Sequence, residues 1–164
     1  MRLRDVTARD RPRLLELNAQ SVQMLSELDE QRLDFILSLA RRSLVAELDE
    51  TIVGFAIAIA QGTDYDSDNY RWFSQRYERF LYLDRIAVAA GHRRHGLGGA
   101  LYEAMEATAV RSGRMVCEVN VDPPNEVSLA FHRARGYREV GRLAHGTART
   151  VLLLSKELQG STGS

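Results

Sequence analysis

The sequence predicts a mixed α/β domain, an α+β layout of about seven strands and four helices. Apolar runs rich in Val and Ile recur along the chain, which is the mark of strands. Between some of them lie segments with apolar residues at helical spacing, and between others only tight turns. The resulting order is strand, two helices, two hairpin strands, strand, helix, strand, helix, two strands, so the sheet is not a strictly alternating doubly wound one.

The elements follow in order. "RLRDV" at the start reads as a short strand. Thr7 with Asp10 resembles a capping box, with Asp in place of Glu, and predicts a helix over 8–20 whose buried side holds Leu14, Leu15 and Leu17. A second helix is expected over 26–41, with Leu33, Ile36, Leu37 and Ala40 on one stripe. Residues 43–60 read as a hairpin turning at Asp49-Glu50. The polar and aromatic stretch that follows, 61–77, reads as one long connection. "RFLYLDRIAVAA" is the next strand, on which strict alternation places Tyr82, Asp84, Ile86 and Val88 on one face. A helix is expected to begin within 96–113 and to end at Gly113. "RMVCEVNV" is a strand stopped by Pro123-Pro124, and Asn125 is placed to cap a helix over 126–135, closed by Gly136. Residues 137–144 and 148–158 finish the chain as two antiparallel strands. One domain over 1–158 and a tail over 159–164 are expected.

Composition narrows the function. Lys+Arg and Asp+Glu balance at 22 each, which gives no support to attraction for nucleic acid or an anionic membrane. Nucleic acid and membrane are therefore not expected partners. No apolar stretch reaches the roughly 20 residues that span a bilayer, and the N-terminus lacks the apolar run of a signal peptide. Cys117 is the single cysteine, which fits a reducing compartment and a cytoplasmic protein. It reads as a small core residue.

"GHRRHGLGG", residues 91–99, joins the strand "LDRIAV" to a helix, and three ligands compete for it. A metal on His92 and His95 lacks a third ligand close in sequence, so no metal is expected. A nucleic acid would need a wider basic face. A phosphate group fits best: the glycines clear side chains from the first helical turn, whose free N–H groups and dipole favour an anion. Arg93 and Arg94 add forked donors. A glycine-rich turn serving only close packing stays open on this stretch alone.

The flanks decide. Arg93-Arg94-His95-Gly96-Leu97-Gly98 after "LDRIAV" resembles the acetyl-CoA pyrophosphate loop of the GNAT N-acetyltransferase superfamily, [Gln/Arg]-x-x-Gly-x-[Gly/Ala]. Residues 125–137, "NEVSLAFHRARGY", resemble the family's second motif, Asn-x-x-[Ala/Ser]-x-x-Phe-[Tyr/His]-x-x-x-Gly-[Phe/Tyr]. The likeness runs from about Arg2 to Leu158 and extends to GNAT proteins of unknown acceptor with "YRWF" and "CEVN-PPN" segments. It implies a GNAT fold: a twisted, mostly antiparallel sheet splayed between "FLYLDRIAV" and "MVCEVNV". It also implies an acetyltransferase whose cosubstrate is acetyl-CoA and whose partner is an amine acceptor. The pantetheine arm would lie along Ile86, Ala87 and Val88. The amides from Arg94 through His95, Gly96, Leu97 and Gly98 to Gly99 would hold the pyrophosphate, helped by Arg93. Asn125, Ser128 and His132 share a helix face at i, i+3 and i+7. They would line the cofactor side, with Asn125 equally readable as a plain helix cap.

Acetyl transfer needs a neutral amine, a polarised carbonyl and a leaving thiolate. The Val88 N–H is the expected carbonyl donor. His132 stands where many relatives carry a Tyr that protonates the thiolate, and reads either as that acid or as a groove wall. Asp84 and Glu118, on opposite walls of the splay, are equal candidates for the base. Tyr70, Trp72 and Tyr82 are candidate substrate contacts. The aromatic segment that holds the first two reads equally as a lid or as the contact of a homodimer.

Overall fold

The computed structural model describes residues 1–21, 26–93 and 96–159. Arg94 and His95 of the glycine loop, and all but the first residue of the expected tail, lie outside them.

The strands are β1 (Arg2–Asp5), β2 (Arg42–Leu48), β3 (Thr51–Ala60), β4 (Leu81–Val88), β5 (Arg114–Asp122), β6 (Arg138–His145) and β7 (Arg149–Glu157). They form one sheet in the order β1-β2-β3-β4-β5-β7-β6. Only β4 and β5 pair in parallel; every other pair is antiparallel. The helices are α1 (Arg11–Gln20), α2 (Glu30–Leu39), α3 (Asp68–Ser74), α4 (Leu97–Ala109) and α5 (Glu126–Ala134).

Local chemistry explains most boundaries. The Thr7 N–H donates to the Asp10 carboxylate at 2.6 Å, closing a 3-10 turn over Ala8–Asp10 before α1 begins. Asp29 caps α2 by accepting from the Arg32 N–H, which starts that helix later than its apolar stripe suggests. Asp49 and Glu50 both take positive φ, 51° and 64°, the backbone that a two-residue hairpin needs. Within the stretch expected to be a plain connection, Ser67 caps α3.

Leu14, Leu17, Leu33 and Ile36 of α1 and α2 are fully buried, as are Leu101 and Met105 of α4. Arg85 of β4 reaches Asn18 of α1, whereas Val88 lies beside Gly54 and Leu101 of α4, so these helices cover opposite faces of the sheet. Helix α3 shares the α1 face and crosses it. The Tyr70 ring lies 5.7 Å from Tyr82 of β4, and Trp72 sits on Gly141 of β6. A Cβ at Gly141 would fall 2.3 Å from the indole, so only glycine admits this contact. No helix among the described residues is long and apolar enough to cross a membrane.

Candidate active site

Strands β4 and β5 pair only at Leu81↔Met115 and Tyr82↔Val116, then run on without pairing. The backbone beside this gap follows a simple alternation. Ala89 donates its N–H to Val53 at 2.8 Å, on the β3 side. Ala87, two residues back, faces β3 as well, and Ile86 and Val88 turn their amides and carbonyls into the gap. An extended chain entering the gap meets the donor and acceptor groups of a missing strand. Ala87 leaves the expected cofactor set, because its backbone is committed to β3 and its side chain is buried. Arg93 donates to the Val88 carbonyl at 3.3 Å.

The glycine loop opens onto the same end of β4. Gly96, at φ 76°, caps α4 in the left-handed region that glycine adopts without strain. The first helical bond runs from the Ala100 N–H to the Gly96 carbonyl, so the N–H groups of Leu97, Gly98 and Gly99 precede the ladder. A Cβ at Gly98 would meet no atom within 4 Å, which leaves room against those amides. The Leu97 side chain is buried, so only its backbone is available.

On the α3 side of the gap stands Glu118 of β5. The Tyr82 hydroxyl lies 2.8 Å from both of its carboxylate oxygens. Burial pushes the Glu118 carboxyl up to about 7, with Asp84 adding in the same sense; Tyr82, Asn69 and Arg149 pull the other way. Burial also holds the Tyr82 phenol well above its usual value, so it stays protonated and donates.

Several expected site residues are placed elsewhere. Ile57 pairs with Arg85 and Ala58 with Leu83, so Asp84 is an extra residue in a bulge. The bulge turns Tyr82 to the face opposite Ile86 and Val88, correcting the face drawn from strict alternation. It also removes Asp84 as a base. One Asp84 oxygen accepts from the Arg85 Nε at 2.7 Å and the other from the Tyr65 hydroxyl, with both ion-pair side chains only 4% exposed. Tyr70 is a core residue: its hydroxyl donates to the Ala60 carbonyl at 2.6 Å and accepts from Thr63. Trp72 is half-buried on Gly141 with Arg76 over its outer face, and is not a cleft wall.

His132 is likewise sequestered. Its Nδ1–H donates to the Ser128 carbonyl at 2.6 Å, and its Nε2 accepts from the Tyr102 hydroxyl of α4 at 2.5 Å. Burial lowers its pKa from the ordinary 6.5. A buried neutral imidazole with both nitrogens engaged has no free proton for a thiolate, which corrects the acid reading. Asn125 caps α5 by accepting from the Ser128 N–H. Tyr102 was not anticipated. Gly98, Tyr102, Met105 and Ala109 fall at i, i+4, i+7 and i+11 of α4, and that stripe is the signal for it. Among the described residues no group of three His, Cys, Asp or Glu is placed to hold a metal.

A sheet parted between two parallel strands, with a glycine loop feeding a helix at the mouth, defines an acyltransferase-type fold. The chain belongs to the acetyltransferase (GNAT) family, whose model matches residues 11–137, and it is an acetyltransferase on that footing. Among solved structures it resembles a ribosomal-protein-alanine N-acetyltransferase from Brucella melitensis, at 23% identity over 96% of this chain and 100% of that one, with a TM-score of 0.71. Ard1 from Thermoplasma volcanium is 15% identical over 97% and 98% of the two chains, with a TM-score of 0.78. The putative acetyltransferase yncA of Salmonella typhimurium, solved with its cofactor acetyl-CoA, is 19% identical over 99% and 96%, with a TM-score of 0.71. No curated protein matches the chain.

Proposed function

We propose that the protein moves an acetyl group from acetyl-CoA to a primary amine by direct attack, with both substrates bound together and Glu118 as general base. One observation carries this reading: an open backbone edge at Ile86 and Val88 faces a half-buried carboxylate across the gap between β4 and β5. The residues suit the donor. Ile86 and Val88 would pair with its extended arm, and the amides at Leu97–Gly99 with its pyrophosphate. When bound, acetyl-CoA supplies an activated acyl thioester. The Val88 N–H, turned into the gap, is the donor for the thioester carbonyl. Glu118 accepts the proton that the amine gives up as its nitrogen bonds to carbon. Tyr82 steadies the carboxylate at 2.8 Å without competing for that proton, because its phenol stays protonated. A base near 7 suits an α-amine, ordinarily about 8, better than a lysine side chain, about 10.4. The Brucella relative's name points the same way, since it acts on an alanine of a ribosomal protein.

The experiment has two stages. Calorimetry with acetyl-CoA should give one site per chain. CoA release is then followed across free amino acids, peptides with free N-termini and polyamines. Release with an α-amine, absent in Glu118→Gln, is expected. Binding without release from any amine would make the chain a CoA-binding module instead.

A further inference from the structure

We propose that the acceptor carries a carboxylate, which Arg149 at the start of β7 binds while the amine lies at Glu118. The inference rests on the reading of Glu118 as base and adds to it the chemical class of the acceptor.

Register places the two groups on one face. Glu118 of β5 pairs with Leu153 of β7, and Asn120 with Val151. Residues opposite each other in a sheet share a face, and alternate residues along a strand return to it. Glu118, Asn120, Val151 and Arg149 therefore project the same way. On its other side Arg149 pairs with His145 of β6, whose Nε2 lies 2.9 Å from the Asn69 Oδ1 of α3. That contact fixes the face as the one under α3, where Glu118 meets Tyr82. Arg149 stands four residues along β7 from the partner of Glu118, about 13 Å at the strand rise, beside the exposed turn over 146–148. A row of polar side chains, Glu118, Asn120 and Arg149, thus leads from the base to the rim.

Two members of the row lack partners. Arg149 is half-buried, and among the described residues its guanidinium makes no hydrogen bond, ion pair or ring contact. Every other described half-buried arginine has one: Arg4 with Asp10, Arg13 with Glu16, Arg32 with Asp66, Arg42 with Thr108, Arg114 over Tyr77 and Arg135 with Glu106. Asn120 is half-buried too, and its side-chain amide makes no hydrogen bond among the described residues. A guanidinium drawn partly out of water without a counter-ion calls for one, and its planar fork suits a carboxylate. Glu118 does not serve: both its oxygens lie against the Tyr82 hydroxyl, and no ion pair joins it to Arg149. His145, across the strand pair, is engaged by Asn69 and is no anion. An amine held at Glu118 that also bears a carboxylate can turn the anion towards Arg149, with Asn120 beside the bonds between. Two sources present this chemistry: the α-carboxylate of a free amino acid and the acidic side chain of a peptide's first residue.

The test is calorimetric binding to the full-length protein in the presence of CoA, with acceptors matched in pairs. Alanine and alanine amide differ in the α-carboxylate. The amidated peptides Glu-Ala-Ala and Gln-Ala-Ala differ in the side-chain charge. The charged member of one pair should bind about 10- to 100-fold tighter than its neutral partner, and the pair that shows this names the source. Arg149→Gln should bring the ratio close to one, and Arg149→Glu should invert it. Because a ratio is read, any loss that both members share, through Glu118 or through the fold, cancels. Equal or absent binding within both pairs on the parent overturns the proposal, so the test stands even if a variant fails to fold. A preference that persists in Arg149→Gln overturns it as well. The measurement needs no turnover, which separates this inference from the catalytic one. Preference without CoA release from acetyl-CoA would refute transfer to the amine and leave the carboxylate site standing. Release without preference would refute the site alone.

Discussion

Replacing Glu118 by Gln should remove activity and, at neutral pH, stabilise the fold. The carboxyl is raised from the ordinary 4.5 to about 7 by burial in the gap. Each unit corresponds to about 1.4 kcal/mol, so keeping the charged carboxylate there costs about 3 kcal/mol of folding free energy. The sign follows from which state binds the proton. Below 4.5 the group is neutral both folded and unfolded, and carries no penalty. Between 4.5 and 7 the unfolded chain releases its proton while the folded chain keeps it, so stability falls as pH rises. Above 7 both states are charged and the loss is complete. Gln keeps the size and an acceptor for the Tyr82 hydroxyl but does not titrate. Urea unfolding of both proteins at pH 4.5 and 8.5 subtracts every shared titration. The variant should gain about 3 kcal/mol on the parent between the two pH values. Stability curves that run parallel across this range would refute both the raised pKa and the desolvated position it reflects. In the same variant, turnover should fall by about 100- to 10,000-fold. The parent's kcat/KM should drop tenfold per pH unit below about 7.

Other consequences follow from the loop, the α3 contact and the buried imidazole. Gly98→Asp should abolish acetyl-CoA binding in calorimetry with an unchanged Tm, because a Cβ there meets no atom within 4 Å while its carboxylate faces the phosphate amides; retained affinity would contradict the loop assignment. Gly141→Ala should cost about 1–3 kcal/mol and shift the emission of Trp72, the single tryptophan, by pushing a methyl group into its ring. An unmoved spectrum would deny the contact. His132→Gln should lower stability by about 1–3 kcal/mol and leave the pH–rate profile in place, whereas loss of a limb at low pH would restore His132 as an acid.

The sequence carried the frame of this site better than its contents. The strand–loop–helix from Leu81 to Gly113 was legible because a period of two gives way to glycines and then to helical spacing. The bulge at Asp84 was not: one inserted residue has no compositional mark beyond two adjacent polar residues in an apolar strand. Its effect is large, since every residue before it changes face, which moved Tyr82 and removed Asp84. Helix α3 was hidden by its seven residues, too few to show a stripe, although Ser67 is a recognisable cap. Glu118 was found because alternation held on β5, where its face is that of Tyr82. Its burial, and hence its raised proton affinity, comes from its place across from Tyr82, which only the pairing of β4 with β5 reveals. His132 misled for the opposite reason. Its place in the motif is right, but Tyr102 from another helix turns it into a core residue.

The most direct test of the whole reading is CoA release from acetyl-CoA in the presence of amines, measured on the parent chain and on Glu118→Gln side by side. The account predicts release that depends on an α-amine, rises through pH 7 and disappears in the variant. Equal release by the two proteins, or none from any amine despite bound acetyl-CoA, would contradict it.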